Sequence, residues 1–236
     1  MSHKQIYSYP RERPPFYPDL ILIGTIHRAP SLEEFLKQLL LEIRPAVITV
    51  EISPFSVRFR QKRQTFWQER LRALKKAPFL PREVREALER AFTMPYEYRV
   101  PKSLGLCPVV PIDLNAPART YLLELEKLLY DPPSPEACRL LSHTKELAFL
   151  RLFLKGCYQP PSSTEDRLRE TFWAQKIKKL LRLKRPLVHV GGWRHLPGLL
   201  SHFPESVALV LEPCFSSQRD YLSIKYKKHQ GESDEG

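Results

Sequence analysis

Two short apolar runs in this chain end the same way. Residues 20–30 read LILIGTIHRAP and residues 187–198 read LVHVGGWRHLPG. Each run is aliphatic and rich in β-branched residues, each stops at a glycine (Gly24, Gly192), and each places a histidine three residues on (His27, His195). Runs of this length and composition, bounded by turn residues, are buried strands. After the first, SLEEFLKQLLLEIR carries Phe35, Leu36, Leu39, Leu40 and Ile43 at helical spacing, with Ser31 and Glu34 placed as a capping box. PAVITVEIS follows as a second strand that ends in Val50-Glu51. A strand–helix–strand unit of this kind predicts two parallel, adjacent strands joined by a right-handed crossover. The second motif is followed by a short helix, RHLPGLLSHF, and a strand, SVALVLEP, that ends in Leu211-Glu212.

The expected fold is therefore α/β: a pseudo-twofold core of two strand–helix–strand units with a mostly helical, basic insertion between them. Residues 1–18, rich in Pro and Tyr, are expected to be an extended arm. Residues 19–225 are expected to form a single domain with its insertion at about 55–185, and residues 226–236 a disordered tail. Within the insertion, Pro78 and Pro81 divide a helical stretch over 55–102 into two helices. CPVVPIDL reads as a short strand, helices follow at about 118–130 and 135–155, and SSTEDRLRETFWAQKIKKLLRLKR reads as a long helix. That helix has acids in its first turn and bases in its last, as the helix dipole favours.

The chain has 236 residues and a net charge of +12. Between Val57 and Lys102 stand thirteen Arg or Lys against five Glu, so eight of the twelve excess charges lie in that one stretch. Such a stretch can be a solvated basic face, a lid that attracts an acidic substrate, or a nucleic-acid-binding surface, and no nucleic-acid motif accompanies it. No apolar stretch approaches the roughly 18–20 residues of a membrane helix, and MSHKQIYSYPRERPPFYP has no apolar signal region. The four cysteines, Cys107, Cys138, Cys157 and Cys214, make no C-x-x-C pair, which argues against a zinc ribbon. They are expected to be reduced thiols in a cytoplasmic protein.

The chemistry is expected at the strand ends. In open α/β sheets, ligands bind beyond the carboxyl ends of the strands. His27, Glu51, His195 and Glu212 all fall there, and Asp113 ends the strand in PIDLN. Two histidines with one or two carboxylates suit a divalent ion, such as zinc, manganese or cobalt. A bound ion would lower the pKa of a water and polarise a carbonyl, and a carboxylate outside the ligand set could serve as general base. Glu51 closes a strand that is otherwise apolar, where a carboxylate is costly unless paired. His189 lies mid-strand and reads as a core histidine.

Taken together, these motifs resemble the TraB/PrgY family and the wider group that includes the Tiki metalloproteases, the erythromycin esterases and the ChaN-like haem-binding lipoproteins. The likeness rests on the two Gly-x-x-His motifs, on Glu51 after the first, on HLPGLL after the second, and on RETFWAQKI, which resembles the family's helix bearing an Arg, with Arg169, Glu170 and Ala174 at the matching places. It covers about residues 19–60 and 160–213. The resemblance implies a metal-dependent hydrolase, most concretely a metallopeptidase or esterase acting on a peptide or small-molecule substrate. In that reading His27, His195 and Glu51 hold or activate a metal and its water. Arg169 stabilises an oxyanion or pairs with Glu51, and Thr25 positions the motif. Gly24 and Gly192 give backbone room, while Asp113 and Glu212 support or complete the ligand set. The alternatives on the same fold are a haem, metal or small-ligand binder without turnover, or a nucleic-acid-associated protein using residues 57–102. A homodimer is expected by analogy with other proteins of this fold class.

Overall fold

The computed structural model describes residues 5–75, 81–131 and 144–213. It is an α/β fold built on six parallel strands: β1 (Ile6–Tyr9), β2 (Leu20–Thr25), β3 (Val47–Val50), β4 (Val109–Pro111), β5 (Leu187–Gly192) and β6 (Val207–Leu211). The order across the sheet is β1-β6-β2-β5-β3-β4. Strands β2, β3 and β5 are buried at every position. Such strands read as unbroken apolar runs because both of their faces are covered.

The order corrects one expectation. β2 and β3 are parallel but not adjacent, because β5 lies between them and pairs with both. The second unit does the same in the opposite direction, with β2 between β5 and β6. The chain thus leaves β2 toward one edge and leaves β5 toward the other. The boundary between two such strands is where open α/β sheets form a ligand crevice. In the observed register Gly24 lies opposite Gly191 and Thr25 opposite Gly192, which brings the two motifs side by side.

Three further expectations change. The N-terminal arm is not merely extended: Ile6–Tyr9 pairs with β6 as an edge strand. Ser31 does not cap a helix. It sits in a 3-10 turn, Pro30–Leu32, and α1 (Glu33–Ile43) begins after Leu32 with no side-chain cap. The periodicity of α1 was sound nonetheless, since Leu36, Leu39, Leu40 and Ile43 are its buried residues. The basic stretch forms three helices rather than two: α2 (Pro54–Lys75), α3 (Arg82–Phe92) and α4 (Tyr96–Leu104). The extra break falls at Pro95, which immediately precedes α4, because the residue before a proline is pushed out of helical geometry.

The remaining helices are α5 (Asn115–Lys127), α6 (Thr144–Leu154), α7 (Thr164–Leu181) and α8 (Leu196–His202). α7 has the reciprocal cap that α1 lacks: Asp166 N–H donates to Ser163 Oγ at 3.0 Å, and Ser163 N–H to the Asp166 carboxylate at 2.9 Å. Around the sheet lies the main core, and α2, α3 and α5 close a second one around Trp67, Val84, Leu88, Phe92, Leu122 and Leu125. Part of the segment's positive charge is engaged in and beside this second core. Arg60 is buried beside Trp67, and Arg63 pairs with Glu126. Among the described residues no helix is long and apolar enough to cross a membrane, and Cys107 and Cys157 are free thiols. Cys138, Cys214 and the expected tail lie outside the described residues.

Candidate active site

Glu51 is the centre of the site. Its N–H donates to Val190 O at 2.9 Å, so pairing with β5 continues one residue past β3 and delivers the side chain to the middle of the sheet's edge. One carboxylate oxygen accepts from Gly192 N–H at 2.7 Å, and the other from Arg169 Nη2 at 2.9 Å. His27 Nε2 lies 3.9 Å from the first oxygen, and His195 Nε2 lies 3.6 Å from the second. Burial alone would raise the Glu51 pKa. The charges of His27 and Arg169, with that of His195 when it is protonated and the Gly192 N–H, outweigh burial and lower it, so Glu51 is an anion at neutral pH.

Each imidazole turns its other nitrogen to a second buried glutamate. His27 Nδ1 is 2.8 Å from Glu97, and His195 Nδ1 is 2.8 Å from Glu170. A carboxylate accepts, so each Nδ1 donates, and Nε2 is left to face Glu51. Desolvation pulls the His27 imidazolium down. The hydrogen bond and charge of Glu97, and the charge of Glu51, overcome that and raise its pKa to about 9. Both glutamates come from helices of the insertion, Glu97 from the first turn of α4 and Glu170 from α7. Tyr96 Oη donates to Ile26 O at 3.1 Å and ties α4 to the loop that carries His27. The His195 ring stands edge-on to Trp173, with centroids 4.9 Å apart.

The other expected residues divide. Arg169 pairs with Glu51, and it also reaches Asp113 through Nε at 3.1 Å and Nη2 at 2.9 Å. Trp173 Nε1 donates to Asp113 as well, at 3.1 Å. Asp113 therefore anchors Arg169, and no contact joins it to either histidine among the described residues. Thr25 Oγ1 lies 3.2 Å from Glu97 and 3.1 Å from Gly191 O, a positioning place. Gly192 is required by close approach: a Cβ there would lie 2.9 Å from His27 Nε2. Gly24 serves packing instead, since a Cβ there would meet Leu196 at 2.6 Å. Glu212 is not in the site. It accepts from Ser8 Oγ at 2.9 Å and Arg151 Nε at 3.1 Å, at the β1 side of the sheet. His189 is in the core as expected, with Nδ1 3.1 Å from Thr49 Oγ1, but its buried Nε2 has no hydrogen-bond partner.

Two residues escaped sequence reasoning. Glu97 is one of five acids in a basic stretch, and its flanking tyrosines, Tyr96 and Tyr98, were the available sign that it is buried. Gly198 lies so close to Glu170 that a Cβ would collide with the carboxylate.

A cleft of about 680 Å³ opens beside His27 and Glu51, lined also by Arg169, Ser53, Tyr121 and Phe149 among others, with His195 behind Glu51 and outside the lining. Two Nε2 atoms and a carboxylate are the donor types a first-row divalent ion takes, and histidines anchored through Nδ1 to carboxylates are the usual support for such ligands. Among the described residues, however, no three His, Cys, Asp or Glu side chains stand grouped as an ion would need them. Comparison with protein-family models, with curated proteins and with solved structures returns no match.

Proposed function

We propose that this protein is a hydrolase of the kind its two Gly-x-x-His motifs resemble, cleaving an ester or peptide bond in the cleft above Glu51. The observation that carries the proposal is the pair of His–Glu dyads whose Nε2 atoms face one ionised carboxylate. His195, oriented by Glu170, takes the proton from an attacking water. His27, a cation at neutral pH beside Glu97 and Glu51, gives a proton to the leaving group. Glu51 steadies the positive charge as it passes between the imidazoles, and Arg169 and Gly192 N–H hold Glu51 in place. The metal-dependent form of the proposal uses the same atoms. His27, His195 and Glu51 would hold the ion, and it would supply a water of lowered pKa. Binding would require His27 to release its proton.

The test is a screen of ester and peptide libraries with the wild-type protein, with chelator, and with added zinc, manganese or cobalt. Hydrolysis is expected, and His27→Ala and His195→Ala should each lower it by about 10²–10⁴-fold. Unchanged turnover in both variants removes the assignment. Loss on chelation, restored by one ion, supports the metal-dependent form, and full turnover in chelator assigns the chemistry to the imidazoles alone.

A further inference from the structure

The charges that line the cleft do not cancel. Its carboxylates all have cationic partners: Glu51 and Asp113 share Arg169, Glu97 has His27, and Glu146 lies 3.7 Å from Arg194. Two of its guanidiniums have no carboxylate among their described contacts. Arg60 is 7 % exposed, lies over the Trp67 ring, donates hydrogen bonds only to the main-chain oxygens of Ala91 at 3.0 Å and Thr93 at 3.2 Å, and leaves its Nε buried without a hydrogen-bond partner. Arg28 bonds only to the hydroxyl of Tyr121 and lies over that ring. Both arginines and Tyr121 line the same cleft as His27 and Glu51.

Holding Arg60 there is costly. Burial pulls the Arg60 guanidinium down to about 10, and the charge of Arg28 pushes in the same direction. A buried cation is ordinarily matched by an anion, and the cleft that Arg60 and Arg28 both line is where one could reach them. Arg28 is also held at φ +61°, in the left-handed region that side chains other than glycine rarely adopt. The carbonyls at the end of α3 account for one nitrogen of Arg60 and for nothing of Arg28.

From this we infer that Arg28 and Arg60, with the Tyr121 hydroxyl, form a subsite for an oxyanion of the substrate, a carboxylate or a phosphate carried beside the bond that is cleaved. Guanidinium is suited to both groups, because its planar fork binds them through paired hydrogen bonds. The inference deepens the hydrolase proposal by naming the substrate class and rests on it for the word substrate, but binding of the anion needs no turnover.

The experiment is therefore a binding measurement. The full chain is titrated by calorimetry with phenyl phosphate and, separately, with benzoate, alongside Arg28→Gln, Arg60→Gln, His27→Ala and, as a surface control, Arg82→Gln. Saturable binding of at least one probe is expected, and the tighter probe says whether the natural group is a phosphate or a carboxylate. Arg28→Gln should weaken it about tenfold or more, the loss expected for a charged hydrogen bond, and Arg82→Gln should not. Arg60→Gln is read together with its thermal midpoint, and Arg28, which is only partly buried, keeps the test decisive where Arg60→Gln fails to fold. No saturable binding of either probe, or binding that Arg28→Gln leaves intact, overturns the subsite. Binding retained in His27→Ala while hydrolysis is lost separates subsite from chemistry. Arg28-dependent binding by a protein that hydrolyses nothing in the libraries leaves the subsite standing and removes the hydrolase.

Discussion

Glu51 and Glu212 occupy matching places in the sequence, one residue past a parallel strand that follows a Gly-x-x-His unit, and both are almost wholly buried. Their surroundings differ completely. Glu51 N–H pairs with Val190 of the central strand β5, and its carboxylate meets two imidazoles and Arg169. Glu212 N–H pairs with Tyr9 O of the edge strand β1, and its carboxylate meets Ser8 and Arg151. The same residue on the same kind of strand end becomes the hub of a two-histidine cluster or a fastening for the sheet's edge, and the neighbouring strand decides which.

The largest expected effect comes from testing that contrast directly. Glu51→Gln keeps the shape and removes the charge. It should lower kcat/KM by about 10³-fold, in the range of an acid–base group, while Glu212→Gln leaves turnover near wild type and costs about 1–3 kcal/mol of stability in a denaturant titration. Equal losses of activity in the two variants would break the comparison.

The next effect concerns the two dyads. Gly198→Ala puts a methyl group into Glu170, so His195 should lose its orientation and turnover should fall about 10–100-fold, as when a supporting residue is removed. Glu97→Gln should do the same for His27 and, by removing the charge that holds the imidazolium, bring the acidic group in the pH–rate profile down from about 9. A purely structural Glu97 would leave that profile in place.

His27 and His189 should make stability depend on pH with opposite signs. His27 is raised above its unfolded value, so its contribution is complete below about 6.5 and disappears as the pH rises through about 9. His189 is lowered to about 4, chiefly by desolvation. Between about 6.5 and 4 the unfolded chain binds a proton that the folded one refuses, so stability falls there by about 3 kcal/mol. Unfolding midpoints measured from pH 4 to 10 should lose the acid-side slope in His189→Phe and the alkaline-side slope in His27→Gln.

The smallest effect compares two serines at helix starts. Ser163→Ala removes a working cap from α7 and should cost about 1 kcal/mol. Ser31→Ala, which removes no cap from α1, should cost nearly nothing in the same thermal measurement.

Much of this molecule can be read from its sequence because the informative patterns are local. Aliphatic runs stop at glycine, histidines follow three residues on, and Glu51 closes an apolar strand. Arg169 and Glu170 were singled out by the resemblance of RETFWAQKI to the family's helix, not by any local pattern of their own. The strand order was not, since nothing in LILIGT or VITV records that LVHVGG lies between them; only long-range pairing does so. β1 was hidden in a proline-rich stretch whose pairing partner is some 200 residues away along the chain. Glu97 was hidden by its basic neighbours, and the two unmatched arginines of the cleft were hidden because charge counts carry no information about which cations find a partner.

The interleaving of the strands has a consequence for how the molecule comes into being. Among the described residues β3 pairs only with β4 and β5, and β2 only with β5 and β6, so a chain growing from its N-terminus cannot join the strands of its first unit until Leu187–Gly192 has been made and threaded between β2 and β3. Nearly the whole polypeptide must be present before His27 meets Glu51 beside Gly192. The two-histidine cluster thus forms late: any fragment that stops short of β5 carries His27, Glu51, Glu97, Arg169 and Glu170 but lacks Gly192 and His195, and under the proposed function the appearance of activity would serve as a clock for the insertion of β5, set by the slow search that such distant contacts impose.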